Sequence, residues 1–291
     1  MIVSASYRTD IPAFHAAWFA RRLAAGYALV ANPYGGPPYR VSLDPADVDG
    51  YVFWTRNAAP FRDALEAVRA QGVPFVVQFT ATGYPRALEP SVIAPEMAVA
   101  QLRGLARRYG PRVAVWRYDP VLLSDLTPPA FHRDRFAELA AALKGSVDEV
   151  VLSFAQAYRK TRRNLERAGR RHGFTWQDPP DDKKQALLAE FAGIAADHSI
   201  TATICSQPGL GGTPAACIDA ARLADVAGRP LRARRKGNRP GCLCAESRDI
   251  GAYDSCPHGC VYCYAVSDRD RAVANHRRHD PEAEFLLPPP G

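Results

Sequence analysis

Residues 50–80 read GYVFWTRNAAPFRDALEAVRAQGVPFVVQFT, and this stretch decides the fold. Gly50–Thr55 and Pro74–Thr80 are short runs rich in Val, Phe, Tyr and Trp, the composition of buried strands. Ala58–Gln71, between them, is an Ala- and Arg-rich helical pattern. A strand, a helix and a second strand form a unit that lays its strands parallel. The alternation continues in both directions. Ile2–Tyr7, Val113–Tyr118, Glu149–Phe154, Ile200–Cys205 and Arg248–Ala252 are further candidate strands. Helices are expected near Pro12–Ala25, Pro95–Tyr109, Arg133–Lys144, Lys160–Arg171, Lys184–Asp197 and Thr213–Ala227. Pro12 and Pro95 suit a first helical turn, where a missing N–H costs nothing. Seven such units predict an α/β chain forming a TIM-like (β/α) barrel, full or partial, in preference to an open doubly wound sheet. Residues 1–230 are read as the barrel body. Residues 231–291 are read as a cysteine-rich region completing the same domain.

The candidate strands end in polar residues. Arg8-Thr9-Asp10 follows the first, Arg56-Asn57 the second. The third carries Gln78, Thr80 and Thr82. The fourth runs Trp116-Arg117-Tyr118-Asp119, and the fifth has Ser153 and Gln156. Strand C-termini converge on the rim that hosts a barrel's active site. Strands also end wherever chain meets water, so one such end carries no information. Arg8, Asp10, Arg117 and Asp119 are the rim candidates for catalysis, since each sits in or directly beside its strand-end run.

Hydrophobic content of 47% and charged content of 23% are those of a globular protein. No run of about 18 apolar residues is present, so no membrane-spanning helix is expected. The start, MIVSASYRTD, lacks the basic and apolar regions of a signal peptide, which points to a cytoplasmic protein. A net charge of +7 admits an acidic partner such as nucleic acid. The densest basic run, Arg232 to Arg239, reads equally well as a solvated linker. No P-loop, dinucleotide-binding glycine pattern, serine nucleophile elbow or H-E-x-x-H motif occurs. His276 and His279, a turn apart near the C-terminus, read as part of a solvated basic helix. Pro288–Pro290 read as a tail.

The seven cysteines carry the chemistry. An odd number excludes a fully paired disulfide framework within one chain, and a reducing compartment favours metal ligation. Cys256, Cys260 and Cys263 lie in SCPHGCVYCYA with spacing C-x3-C-x2-C. Structural zinc sites and closed iron–sulfur cubes take four protein ligands. Three thiolates on one short loop, with Gly259 permitting a tight bend, leave one metal corner open. The other four, Cys205, Cys217, Cys242 and Cys244, match the number that closes a second cube. Cys205 ends a candidate strand, Cys217 falls in the first turns of the expected next helix, and Cys242 and Cys244 form a C-x-C pair in a polar Gly/Pro-rich loop. They are the candidate ligands of an auxiliary 4Fe–4S cluster. Ordinary buried cysteine is the alternative for Cys205 and Cys217.

The three-cysteine loop, with the aromatic Tyr262 just before its last cysteine, resembles the radical SAM superfamily. GCVYCYA is similar to the cluster loop of the spore photoproduct lyase branch. SASYRTDIPAF, VFWTRN, QFTATGY, VWRYDP and GCLCAESRDIGAYDSCPHGCVYCYA together resemble an uncharacterised family with this loop at the C-terminus, across nearly the whole chain. Most radical SAM proteins carry the loop after the first barrel strand. The resemblance therefore implies a circularly permuted barrel in which Arg248–Asp254 takes that strand's place. It further implies a 4Fe–4S cluster on Cys256, Cys260 and Cys263 that chelates S-adenosylmethionine. One electron then splits the sulfonium bond, and the 5′-deoxyadenosyl radical acts on an unknown substrate. Tyr262 would lie against the adenine, and a reductant such as ferredoxin or flavodoxin is implied. No GGE motif, which many members use to hold the SAM amino group, is present. Gln78 and Ser153 are the SAM-contact candidates in its place, with Arg117 and Asp119.

Two other functions stand beside this one. Lesion repair or modification of nucleic acid, of the photoproduct lyase type, would use the basic charge. A non-catalytic protein binding zinc or an iron–sulfur cluster would use the same cysteines, with His258 or Cys244 as the fourth zinc ligand.

Overall fold

Alternating apolar runs and Ala-rich helices produce a parallel sheet in the computed structural model, which describes residues 1–33 and 35–289. Pro290, read above as tail, lies outside them. Eight strands, β1 (Ile2–Ala5), β2 (Gly50–Thr55), β3 (Phe75–Thr80), β4 (Ala114–Val121), β5 (Glu149–Phe154), β6 (Thr201–Ile204), β7 (Thr213–Pro214) and β8 (Ser247–Asp249), form one sheet. Their order is β7-β6-β5-β4-β3-β2-β1-β8, and every neighbour is parallel. The order follows the chain without reversal except that the last strand lies outside the first. A doubly wound sheet would reverse direction at its middle.

Register sorts the side chains. Partners across a parallel ladder point to the same face, and neighbours along a strand alternate. Val3, Phe53, Val77, Trp116 and Leu152 share one face with Phe19, Leu65, Leu102, Phe136 and Phe191. Those five come from helices Ala16–Ala25, Arg62–Ala70, Pro95–Tyr109, Pro129–Leu143 and Asp181–Asp197. The helices therefore cover one side of the sheet. The opposite face holds Asp249, Ser4, Trp54, Gln78, Arg117 and Ser153. Its apolar part packs Ile2, Val52, Val76, Val115 and Val151 against Leu223 of the last crossover helix, Ala220–Ala227.

The sheet is not closed into a barrel. No ladder joins β7 to β8 among the described residues. Both end strands are short, two and three residues. Among the described residues a backbone bond spans the seam, from Ala245 N to Ile218 O at 2.9 Å. The expected helix at Thr213–Ala227 is likewise corrected. Thr213–Pro214 extends the sheet, and the helix starts only at Ala220, capped by the Asp219 side chain on Ala221 N. Cys217 therefore lies in a loop. Pro12–Ala25 is two helices broken at His15. Two hairpin pairs, Tyr27–Val30 with Tyr39–Ser42 and Leu123–Ser124 with Trp176–Gln177, add small sheets. Helix Arg269–Arg277 is less solvated than its charge suggests: His276 packs 5.4 Å from the His15 ring. No helix is long and apolar enough to cross a membrane among the described residues.

Candidate metal centre

The three-cysteine loop leaves the sheet at the C-terminal end of β8, and its exit is tightly fixed. Asp249 accepts from Ser4 Oγ at 2.8 Å, Ser6 Oγ at 2.7 Å, Tyr7 N at 3.0 Å, Arg8 Nε at 2.8 Å and Gly251 N at 2.9 Å. The loop closes on itself where Asp254 N donates to Ala265 O at 3.0 Å and the Asp254 carboxylate accepts from Ser267 Oγ at 2.8 Å. Between these points Cys263 N donates to Cys260 O at 3.1 Å, and Gly259 takes φ +79°. A side chain there would meet Arg269 Nε at 2.5 Å, so the turn requires glycine. Val261 N donates to Leu88 O at 3.1 Å and Ser91 N to His258 O at 3.2 Å, pinning the loop to the segment after β3.

The three thiols are half-buried on this turn. Burial raises all three pKa values, Cys256 well above its ordinary value and Cys260 to about 12. Cys263 and Cys260 add to the rise at Cys256, and Cys263 to that at Cys260, so the sulfurs share one electrostatic neighbourhood. Burial therefore keeps the three as neutral thiols unless a positive charge is brought to them. Among the described residues no three His, Cys, Asp or Glu side chains already surround a single ion.

His258 and Asp10 are paired beside the loop. His258 Nε2 lies 2.8 Å from Asp10 Oδ2, and its Nδ1 lies 3.3 Å from Ser91 O. Both ring nitrogens thus face protein acceptors. Asp10 also accepts from Ala13 N at 2.9 Å, Thr55 Oγ1 at 2.7 Å and Arg56 N at 2.8 Å. Its carboxylate is filled by four donors and acts as a strut between β2 and the loop. Arg8 is equally committed, holding Asp249 through Nε and the Asp249 carbonyl at 2.9 Å through Nη2. Cys244 lies with the other cysteine group. Both Arg8 and Asp10 thus position the loop.

Tyr262 is 7% exposed. Its hydroxyl bonds Glu89 and, at 2.6 Å, Arg56 Nη2. Arg56 Nη1 pairs with Glu89 at 2.8 Å, and Glu89 also accepts from Thr82 Oγ1 at 2.7 Å. The ring is thereby anchored inward, edge-on to Tyr84 at 6.0 Å. The sequence names Arg56 at a strand end without placing it among the catalytic rim candidates, and does not single out Glu89. Arg56 follows β2 and fits the strand-end signal, whereas Glu89 sits in an irregular loop with no pattern around it.

Gln78, Arg117, Asp119 and Ser153 are brought together, as one network on the inner face. Arg117 Nη1 donates to Gln78 Oε1 at 3.1 Å and to Cys217 Sγ at 2.9 Å, while Nη2 pairs with Asp119. Ser153 Oγ donates to Asp119, and the Arg117 guanidinium lies 5.0 Å over the Trp54 ring. Asp119 is raised by burial, but Arg117 and Ser153 outweigh that and hold it below the usual carboxylate range.

The remaining cysteines also meet. Cys217 Sγ is 3.4 Å from Cys205 Sγ, and Cys244 Sγ accepts from Ile218 N at 3.3 Å. Cys244, two residues after Cys242, is brought beside Cys217 by that amide bond. Arg239 Nη2 stands 3.6 Å from Cys205 Sγ.

A family model described as a domain of unknown function, DUF1848, matches residues 2–265. No curated protein matches the chain.

Proposed function

The chain belongs to the DUF1848 family, and we propose that it is a radical SAM enzyme. In this reading Cys256, Cys260 and Cys263 hold a 4Fe–4S cluster with one iron left for S-adenosylmethionine. The observation that carries the proposal is the engagement of the other donors beside the loop. His258 faces Asp10 with Nε2 and Ser91 O with Nδ1, and Asp10 is filled by four hydrogen bonds. The donor set at the loop is thus three thiolates, which suits a cube with an open corner better than a closed zinc site. When bound, the cluster and SAM supply one-electron reductive cleavage of a sulfonium carbon–sulfur bond.

The chain's own residues do the positioning. Asp249 and Asp10 fix the two sides of the loop. The polar inner face, with Arg117, Asp119, Gln78 and Ser153, supplies charge and hydrogen bonds for a bound ligand. The strand order supports a permuted partial barrel: counted from β8, the strands run in sequence to β7. A ferredoxin- or flavodoxin-like reductant would supply the electron to a substrate still to be identified. The test is incubation of anaerobically reconstituted, dithionite-reduced protein with SAM. Formation of 5′-deoxyadenosine is expected. A fully loaded cluster that yields none contradicts the proposal.

One observation favours a nucleic-acid substrate as the second reading. Helix Arg159–His172, which follows β5, exposes Arg159, Lys160, Arg162, Arg163, Arg170 and Arg171 against one acid, Glu166. Binding to single- or double-stranded nucleic acid should then fall steeply with salt. Absence of binding at low salt removes this reading.

A further inference from the structure

The four cysteines outside the loop come from separate parts of the chain and meet at one place, the seam where the sheet fails to close. Cys205 directly follows β6, Cys217 follows β7, and Cys242 and Cys244 precede β8. A backbone bond across the seam, Ala245 N to Ile218 O, lies beside Cys244 and Cys217. We propose that these four thiols bind a single zinc ion, and that the ion closes the sheet where strand pairing does not.

Spacing separates one ion from a cube. Zinc held by thiolates at about 2.3 Å in a tetrahedron keeps its sulfurs about 3.8 Å apart. Cys205 and Cys217 already stand at 3.4 Å, and Cys244 Sγ, two residues from Cys242, sits on the amide next to Cys217 at 3.3 Å. A cube places iron and sulfide between its ligands and would have to push these sulfurs apart. Among the described residues no three of these thiols yet ring a common point. An S–H···S contact joins Cys217 to Cys205; zinc would replace the protons and gather the four sulfurs about itself. Four thiolates around a divalent ion leave a net charge of −2. The guanidiniums of Arg117, 2.9 Å from Cys217, and Arg239, 3.6 Å from Cys205, face that charge. The Ile218 amide already donates to Cys244 Sγ at 3.3 Å, a bond that strengthens when the sulfur becomes a thiolate. A fully thiolate site of this kind offers no open position, so its role is to hold the fold.

The experiment is metal analysis of two full-length variants beside the wild type. Cys256→Ala/Cys260→Ala/Cys263→Ala lacks the first site and is expected to retain about one zinc per chain, bound by four sulfurs in X-ray absorption. Cys242→Ser/Cys244→Ser is expected to lose that zinc. Removing zinc from the triple variant with a chelator should also speed hydrogen exchange at the Ile218 and Ala245 amides. If the double variant fails to fold, the zinc content of the triple variant alone decides. About four irons per chain in the triple variant, without zinc, overturns the proposal in favour of an auxiliary cluster. A triple variant free of both metals overturns it as well. Because the triple variant has no SAM cluster, these outcomes stand apart from the fate of the catalytic reading.

Discussion

His258 Nε2 and Asp10 Oδ2 lie 2.8 Å apart although 248 residues separate them in the chain. The contact ties the cysteine loop to the same carboxylate that receives the ends of β2 and of the first helical turn. Asp10→Ala leaves His258, Thr55 Oγ1 and the amides of Ala13 and Arg56 without their acceptor in a buried place. A cost of roughly 2–4 kcal/mol is expected. Iron retained after reconstitution should drop well below wild type while far-UV circular dichroism stays native. Undiminished iron in that variant would show that the strut is dispensable.

The Arg56–Glu89 pair is the most deeply enclosed charge on the loop's other side, with Tyr262 sharing both partners. Glu89→Leu strands a guanidinium in the interior and should destabilise by about 3–5 kcal/mol. Arg56→Leu/Glu89→Leu removes both charges and should cost less than the single change. Urea unfolding reads the difference. A single variant milder than the double would contradict this account of the pair.

Gly251 follows the Asp249 hub at the closest backbone approach in that region. A methyl built there would lie 2.0 Å from Ser6 Oγ and 2.5 Å from Ser6 Cβ. Gly251→Ala should therefore lever β8 away from β1, at a cost of about 2 kcal/mol or more. Hydrogen exchange at the Ile250 amide, which donates to Ser4 O at 3.0 Å, should accelerate. Unchanged protection there would refute the packing argument.

His132 gives a pH dependence. Its Nε2 faces Leu122 O at 3.0 Å and so donates, leaving Nδ1 to accept from Tyr118 OH at 2.9 Å. Burial lowers its pKa from 6.5 to about 4, only partly opposed by the Leu122 bond. The unfolded chain then binds a proton that the folded chain refuses between these values. Stability is full above pH 6.5 and falls as pH drops toward 4, by at most roughly 3 kcal/mol from this group. His132→Gln should reduce the slope of melting temperature against pH in that window. An identical slope would assign the dependence elsewhere.

The strands were legible because their apolar runs are dense and bounded. GYVFWT was read as Gly50–Thr55 and forms that strand. Pro95–Tyr109 was equally plain, with Pro95 at its first turn. The reading failed where local pattern and long-range pairing disagree. Thr213–Ala227 looks helical throughout, yet Thr213–Pro214 is held by β6 and the helix waits for the Asp219 cap. Closure of the sheet depends on two edges more than thirty residues apart meeting, and composition does not encode that. At the site, the cysteine spacing announced itself. Asp249 at the end of β8 and Glu89 in a loop did not, since a buried carboxylate is recognised only once its donors surround it.

The central claim is an iron corner left free by the polypeptide at Cys256, Cys260 and Cys263. Electron paramagnetic resonance of the reconstituted, reduced protein, recorded before and after addition of SAM, tests it most directly. The claim predicts a cluster signal that changes shape and position when SAM binds, and that is lost in Cys260→Ala. A signal indifferent to saturating SAM would contradict it.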